Sequence, residues 1–158
     1  MRAKSHLPCL MQSLHVDRIF ETDAATAFDV IADHAGYARL PGIRSAELRV
    51  EGHPERNGVG AERVLRLPGA TFVERITEYR PGVSMAYRII ESPLPIEHIG
   101  ARLLIEPLGQ QGARCRVHWT SRLRATTRVA TTPVEIAIAR QMAIGYALAL
   151  RVWARRLR

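Results

Sequence analysis

A chain of 158 residues has the size of one ordinary domain, and its 47% hydrophobic content is enough to fill one core. Lys and Arg outnumber Asp and Glu by 23 to 15, which gives a formal net charge of +8. This balance excludes an acidic chaperone or a calcium buffer, but it leaves nucleic acid, anionic lipid and acidic ligands open as partners.

The first predicted elements are a strand and a helix, which follow an N-terminal segment, residues 1–12, that we expect to be loose. Residues 14–21 alternate well enough between apolar and polar side chains to predict a strand. The Thr-Asp pair that follows offers capping oxygens for a helix over residues 24–35, where apolar side chains recur at helical spacing. A short second helical turn is predicted over residues 37–40.

The middle of the chain, residues 43–124, is predicted to form five or six short strands, because Asn-Gly and Pro-Gly turn signals divide it. A tight turn at Pro68-Gly69 places Arg63 opposite Glu74 and Leu65 opposite Phe72, so that charges and apolar groups match.

A second turn, at Pro81-Gly82, places Ile76 opposite Tyr87 and Glu78 opposite Met85. One face of these strands is then mostly apolar, with Arg63 and Glu74 within it. Its apolar members are Leu65, Leu67, Phe72, Ile76, Met85, Tyr87 and Ile89.

The next strands alternate more clearly and predict a sheet with one covered face and one wet face. Leu103, Trp119 and Leu123 are among the inward positions. The outward positions are nearly all basic on the last strand and include Arg102, Arg114, Arg116, Arg122 and Arg124. Such a surface could meet RNA or anionic lipid, but no aromatic side chain interleaves with it, so a solvated face is favoured over nucleic acid.

The chain ends in a predicted helix of about 25 residues, which begins with the capping signals Thr132, Pro133 and Glu135. Its sheet-facing side is expected to be flanked by Tyr146 and Trp153 and to carry Val134, Ile138, Met142, Gly145, Ala149 and Val152. Arginines 140, 151, 155 and 158 lie on the opposite side, near three candidates for a homodimer contact: Ile144, Ala147 and Leu148.

This order of elements resembles the START-like, or SRPBCC, superfamily, and its polyketide cyclase/dehydrase branch is the nearest match. The resemblance covers residues 13–156. It is carried by Asp33 with Tyr37, Leu40, Pro41 and Gly42, by Val59-Gly60, by Glu74-Arg75-Ile76, and by residues 28–33 and 112–117. Leu40 departs from the family, which often has Trp at this position.

The resemblance implies one α+β helix-grip domain over residues 13–158. In that fold a curved antiparallel sheet of six to seven strands wraps around a long C-terminal helix, with two short helices between the first two strands. An apolar cavity lies between the sheet and the helix. Family members include lipid carriers, hormone receptors, cyclases and ubiquinone-binding proteins, so no single reaction is implied.

Arg63 and Glu74 are the polar pair that the predicted registers place in this cavity. Arg63 could anchor a carboxylate, a phenolate or a phosphate of a ligand while Glu74 orients it, or the two could form a buried structural ion pair. Glu74 is also the one weak candidate for acid–base chemistry. The full set of candidate ligand-binding residues is Arg63, Leu65, Phe72, Glu74, Ile76, Tyr87, Leu103, Trp119, Met142 and Tyr146.

Two loops occupy the positions of the gate and latch of the family's plant hormone receptors. The gate corresponds to Leu67, Pro68 and Gly69, and the latch to residues 92–95. Two ordinary turns are the alternative interpretation. His98 lies near the cavity mouth, but its even position in the strand predicts that it points away from the inward residues.

The cysteines and apolar runs predict a cytoplasmic protein with no transmembrane segment. Cys9 and Cys115 are far apart, and neither they nor the histidines show metal-ligand spacing, so no metal or disulfide framework is expected. The apolar run at residues 142–150 is much shorter than the ~20 residues of a membrane span.

We therefore expect a protein that binds or transfers a hydrophobic small molecule, such as a lipid, a quinone or a polyketide-like compound, with no cofactor. The first alternative is a polyketide cyclase or dehydratase that uses the same cavity. The second is a module that contacts RNA or the ribosome through the basic outer face.

Overall fold

The computed structural model describes residues 11–109, 111–126 and 132–157, without the side chain of Thr132. Within these ranges the chain forms seven strands, two α-helices and one short 3-10 helix. In chain order they are β1 (Gln12–Phe20), α1 (Ala24–Ala32), the 3-10 helix (Ala35–Arg39), β2 (Ser45–Val50), β3 (Glu62–Leu67), β4 (Ala70–Arg80), β5 (Ser84–Glu91), β6 (Ile96–Leu108), β7 (Arg114–Ala125) and α2 (Thr132–Arg156).

The strands form one antiparallel sheet in the order β1-β7-β6-β5-β4-β3-β2, so consecutive hairpins build all of it except the β1–β7 pair. The two short helices lie between β1 and β2, and α2 follows the last strand. This α+β architecture confirms the predicted helix-grip fold.

Helix α1 begins as predicted but ends earlier. The Asp23 side chain caps its start, because Oδ1 accepts a hydrogen bond from the Thr26 amide at 2.9 Å. The helix was predicted to reach residue 35, but it ends at Ala32 because Asp33 leaves the helical region, with a ψ angle of 88°. The 3-10 helix then turns the chain toward β2.

The first predicted hairpin register is confirmed: Arg63 pairs with Glu74 and Leu65 with Phe72 across a two-residue turn. In the next hairpin the predicted Ile76–Tyr87 pair is present, but the predicted Glu78–Met85 pair is wrong, because Glu78 lies opposite Ala86. A register shift between Ile76 and Glu78 marks a β-bulge there. The loop between Arg80 and Ser84 has three residues, one more than predicted, which shifts the pairs nearest the turn by one residue. The bulge compensates for this shift, so Ile76 still pairs with Tyr87.

The predicted inward face of α2 is wrong by roughly one residue, or about 100° of rotation. Val134 is 43% exposed and Gly145 is also exposed, whereas Leu150 and Trp153 are buried. The helix carries apolar side chains on nearly every side, so its pattern did not define one face. Of the predicted face, Ala149 is buried, and Ile138, Met142 and Val152 are half-buried.

The start of α2 is tied to the end of β7. The carboxylate of Glu135 is buried and accepts a hydrogen bond from the Ala125 amide at 3.1 Å. The predicted capping role of the Thr132 side chain lies outside the described residues. Within the ranges that the structure describes, no helix is long and apolar enough to cross a membrane.

Two apolar clusters occupy the interior between the sheet and the helices. The larger includes Phe28 of α1, Leu103 of β6 and Trp153 near the end of α2. The smaller includes Leu14, Ile96, Leu123 and Ala139, at the other end of α2. Tyr146 packs against both clusters, so the middle of α2 faces the region where they meet.

Candidate functional site

The inner face of the sheet contains a buried ion pair. Arg63 on β3 and Glu74 on β4 are direct cross-strand partners, 0% and 5% exposed. The Nε–H of Arg63 donates to Oε2 of Glu74. A charge this deep is tolerated only with a well-placed partner, because removal from water costs several kcal/mol per ion.

Two tyrosine rings enclose the guanidinium of Arg63. Its Cζ atom lies 4.1 Å from the centroid of the Tyr37 ring and 4.8 Å from that of Tyr87. Both distances are within the range of cation–π attraction, which strengthens when the groups are out of water. Tyr37 comes from the 3-10 helix, and sequence reasoning did not include it among the site residues although it stands in the motif that carries the family resemblance.

Neighbouring groups keep the site's arginine charged, and burial keeps its phenols neutral. Burial by itself lowers the pKa of Arg63, but the charge of Glu74 and the neighbouring Tyr37 and Tyr87 outweigh it, and the pKa rises above its usual value. Burial raises the pKa of both Tyr37 and Tyr87 and raises that of Tyr146 to about 12. At neutral pH these phenols are therefore hydrogen-bond donors rather than bases.

Beyond Arg63, aromatic side chains connect the sheet to α2. The hydroxyl of Tyr87 on β5 donates to the hydroxyl of Tyr146 on α2 at 3.1 Å. Trp119 on β7 stacks on Tyr146, with ring centroids 3.9 Å apart and planes 9° from parallel. Trp119 also stacks on Trp153 at 5.8 Å. These flat rings fill the region where the two apolar clusters meet.

His98 points inward, contrary to the prediction from its even position. A register shift between His98 and Gly100 marks a β-bulge that reverses the alternation of β6 before it resumes at Ala101. The side chain is 2% exposed and stacks on Tyr87 with ring centroids 5.7 Å apart. The signal in the sequence was Gly100, because a glycine inside an alternating strand often marks a bulge.

The hydrogen bonds of His98 define its tautomer. Nδ1 accepts from the Ile89 amide at 2.9 Å, so Nε2 carries the proton and donates to Oγ of Ser121 at 2.9 Å. Burial, with the charge of Arg88 as a smaller cause, lowers the pKa of His98 to about 4. The imidazole is therefore neutral at physiological pH.

Several buried polar atoms of this region lack a hydrogen-bond partner among the described residues. They are Nη1 of Arg63, the hydroxyl of Tyr37, Nε1 of Trp119 and both ring nitrogens of His34. Buried donors are normally paired, because an unpaired one costs about 1–3 kcal/mol and more when it is charged. Arg63 and Trp119 can each donate to an oxygen acceptor.

The other predicted site residues fall into three groups. Leu65, Ile76 and Leu103 are buried in the larger cluster, and Met142 packs half-buried against the smaller one. Phe72 is half-buried and belongs to neither cluster.

The predicted gate residues form the turn between β3 and β4. Leu67 packs half-buried against the larger cluster, whereas Pro68 and Gly69 are exposed, with Gly69 at a φ of 76°. Across the part of the chain that is described, no group of three His, Cys, Asp or Glu side chains is placed to hold a metal ion.

Comparisons with known proteins agree with this architecture. A START superfamily protein from Mycobacterium smegmatis has 16% identity and a TM-score of 0.74, over 94% of this chain and 99% of that chain. The ZhuI aromatase/cyclase from Streptomyces sp. R1128 has 18% identity and a TM-score of 0.73, over 94% of each chain. A protein from Thermobifida fusca has 23% identity and a TM-score of 0.66, over 92% of each chain.

These identities show a shared fold and nothing more specific. A comparison with curated proteins gives no significant match. The model of the family described as polyketide cyclase/dehydrase and lipid transport, in contrast, matches residues 11–154, nearly the whole length. The chain therefore belongs to the polyketide cyclase/dehydrase and lipid transport family, a branch of the START-like superfamily that its sequence resembles.

Proposed function

We propose that this protein binds a hydrophobic small molecule between the sheet and α2, and that it works as a binding or transfer protein. The observation that carries the proposal is the free Nη1 of Arg63, a charged donor that is fully buried among aromatic rings. Family membership supports the coarser statement that the protein is a hydrophobic-ligand-binding or polyketide cyclase-type member.

The geometry of Arg63 favours an uncharged oxygen as the anchored group. Glu74 already neutralises the guanidinium, so a second anion would leave net negative charge in a buried site. A ketone, quinone or phenol oxygen would accept from Nη1 without that cost. This chemistry is shared by quinones and polyketide-like compounds, two of the ligand classes that the sequence suggested.

The aromatic side chains around this region favour a ligand whose main part is flat and apolar. Tyr146 is half-buried and stacks on Trp119 with nearly parallel planes. A ligand ring that displaced Tyr146 would take over this stacking surface and would bring an oxygen within reach of the free Nε1 of Trp119. The ligand is therefore expected to enter the interior by displacing Tyr146, at the point where the two clusters meet.

The protonation states favour binding over turnover. Glu74 is held by Arg63, and the buried phenols keep their protons at neutral pH. Both nitrogens of His98 are already engaged.

One observation favours the alternative, a cyclase or dehydratase, which is also the kind of enzyme that the ZhuI name describes. His98 stacks on Tyr87, whose hydroxyl donates to that of Tyr146, so polar side chains border the same space. If the protein is an enzyme, His98→Gln should stop turnover while ligand binding persists. If it is a carrier, the recovered ligand should be unchanged.

The proposal is tested by titrating the protein with menadione, an uncharged bicyclic quinone, and following tryptophan fluorescence. Trp119 and Trp153 both lie in this region, so binding should quench their emission. The double variant Arg63→Met with Glu74→Gln removes the anchor without leaving a buried charge, and it should weaken binding about tenfold or more.

Arg66→Met is the matched control, because Arg66 lies on the same strand and pairs with Glu47 at the surface. It should bind menadione as the wild type does. Unchanged affinity in the double variant, with a folded protein confirmed by circular dichroism, would remove the anchor role. Failure of the wild type to bind menadione or any other uncharged aromatic ketone would overturn the proposal as a whole.

A further inference from the structure

The arginines on the outer face of the sheet are mostly neutralised by neighbouring carboxylates. Arg102 pairs with Glu78 at 2.8 Å, and Arg124 pairs with Glu97 at 2.6 Å. Arg114 pairs with Glu21 at 2.9 Å, and Arg116 lies 3.8 Å from Asp17. The basic stripe seen in the sequence is therefore largely a set of cross-strand ion pairs, which weakens the case for a nucleic-acid surface.

Three outer-face arginines of the sheet differ from this pattern: Arg80 at the end of β4, Arg88 and Arg122. Arg88 on β5 and Arg122 on β7 are exposed, and neither forms an ion pair with a carboxylate of the described residues. Both line the same cavity, a groove of about 640 Å³. Two of these three arginines, Arg88 and Arg122, thus lie together at one concave place.

Gly100 opens the groove between these two arginines. It lies directly opposite Arg122 in the register of β6 and β7. A Cβ atom at Gly100 would lie 4.0 Å from Cγ of Arg88, so the two arginines flank a position with no side chain. The small residues Ala86 and Ala101 also line the groove. The backbone can therefore be approached closely between two free guanidinium groups.

The two β-bulges shape the same groove. Thr77, at the irregular position of β4, and Ile99, at that of β6, both line it, together with Thr120 on β7. Thr77 adds a hydroxyl donor beside the guanidinium groups, and Ile99 adds an apolar side, whereas the Thr120 hydroxyl donates to the Arg102 carbonyl at 3.5 Å. Guanidinium groups, a hydroxyl donor and a short apolar wall suit a phosphate group that is attached to a small organic molecule.

We propose that this groove is a second binding site, distinct from the interior, for a phosphomonoester. The phosphate would lie over Gly100 and take hydrogen bonds from Arg88 and Arg122, with Thr77 adding a hydroxyl. A dianion suits this place better than the interior, because here no carboxylate of the described residues neutralises the two arginines. The carbon part of the ligand would lie against Ala86 and Ile99. A soluble phosphorylated metabolite and a lipid headgroup present the same chemistry.

The test is isothermal titration at 150 mM salt, a concentration at which diffuse attraction to the surface is largely screened. The probes are phenyl phosphate, inorganic phosphate and phosphatidylcholine vesicles that contain phosphatidic acid. Phenyl phosphate should bind more tightly than inorganic phosphate. Arg88→Gln and Arg122→Gln should each weaken binding about tenfold, and Gly100→Val should weaken it by filling the floor.

Arg114→Gln is the matched control, because it removes the same charge from the same face at a residue that is already paired with Glu21. Its affinity should stay within about twofold of the wild type. Menadione should not compete with phenyl phosphate, because the interior is a different site. Binding of the soluble probe identifies a metabolite site, and binding of the phosphatidic acid vesicles alone, lost in Arg88→Gln, identifies a headgroup site.

Two results would overturn the proposal. In the first, Arg114→Gln weakens phosphate binding as much as Arg122→Gln does, which would mean that the net charge attracts the anion without a site. In the second, neither phenyl phosphate nor the phosphatidic acid vesicles bind to the wild-type protein. Circular dichroism and thermal unfolding of each variant separate loss of the site from loss of the fold.

Discussion

Two neighbouring ion pairs on the same two strands face opposite sides of the sheet. Arg63 and Glu74 point inward, with side chains 1% and 7% exposed. One position along, Glu62 and Arg75 form the same kind of cross-strand pair with the residue types exchanged, and the Arg75 side chain is 52% exposed. The two pairs share chemistry, strands and spacing, and both carboxylates are nearly buried, so they differ in the access of the arginine to water.

This difference separates what each pair can do for the protein. In the outer pair the arginine keeps its hydration, whereas the Glu62 side chain is only 10% exposed and also pairs with Arg49 at 2.8 Å. The inner pair has lost water and depends on one carboxylate and two tyrosine rings. A buried ion pair is a poor way to gain stability, since apolar residues of similar volume often do as well. The unpaired Nη1 donor of Arg63 gives a better explanation of why this ion pair lies inside a ligand-binding fold.

The largest expected effect comes from breaking the inner pair. Glu74→Gln leaves the Arg63 charge buried without a counter-ion, and it should lower the free energy of unfolding by about 3–5 kcal/mol. Urea denaturation measures this loss. Glu62→Gln is the matched control on the outer face and should cost about 1 kcal/mol or less, because both of its arginines stay hydrated.

The double variant Arg63→Met with Glu74→Leu sharpens the comparison. It leaves no buried charge behind, so it should regain most of the stability that Glu74→Gln loses. Equal losses in Glu74→Gln and Glu62→Gln would contradict the view that access to water sets the difference between the pairs.

A second prediction concerns pH and the buried histidines of the inner side. Burial lowers the pKa of His34 to about 3, with the charge of Arg63 as a further cause, and the pKa of His98 is lowered to about 4. In the unfolded chain a histidine takes up a proton near pH 6.5, whereas these two stay neutral in the fold. Stability should therefore be lost as the pH falls from about 6.5 toward 4.

Thermal or urea unfolding between pH 7 and pH 4 measures this loss, which should be on the order of 3 kcal/mol for His98 alone. His98→Gln should make the pH dependence clearly shallower. A wild-type protein whose stability is flat over this range would show that the buried histidines become protonated without cost.

The inner pair was predictable from the sequence because two independent rules agreed on it. A two-residue turn and matching charges both placed Arg63 opposite Glu74, and the alternation of β7 placed Trp119 inward. The partners of Arg63 from outside the sheet were not predictable. Tyr37 reaches it from the 3-10 helix, and nothing in local periodicity specifies where such a turn packs.

The errors in the sequence analysis have two physical causes. Bulges insert a residue into an alternating pattern, so they reversed the expected direction of His98 and moved Glu78 opposite Ala86. Helix α2 is apolar on several sides, and Ile144 and Leu148 are 54% and 41% exposed, so its pattern did not define the buried face. The homodimer contact suggested for Ile144, Ala147 and Leu148 stays a prediction.

The smallest expected effect comes from the exposed partner of the outer pair. Arg75→Gln removes one of two guanidinium groups from Glu62, and the other, on Arg49, remains hydrogen-bonded to it at 2.9 Å. The free energy of unfolding should therefore change by less than about 0.5 kcal/mol, and the small difference should shrink further in 1 M salt. Arg63→Gln should cost several kcal/mol more, because it strands the buried Glu74, and salt should not reduce that cost since mobile ions cannot reach the pair. The salt dependence of the free energy of unfolding is thus the most sensitive way to compare the two pairs. A salt-sensitive inner pair would mean that water enters the interior beside Arg63. The anchor would then lie in a solvated cleft rather than a dry one.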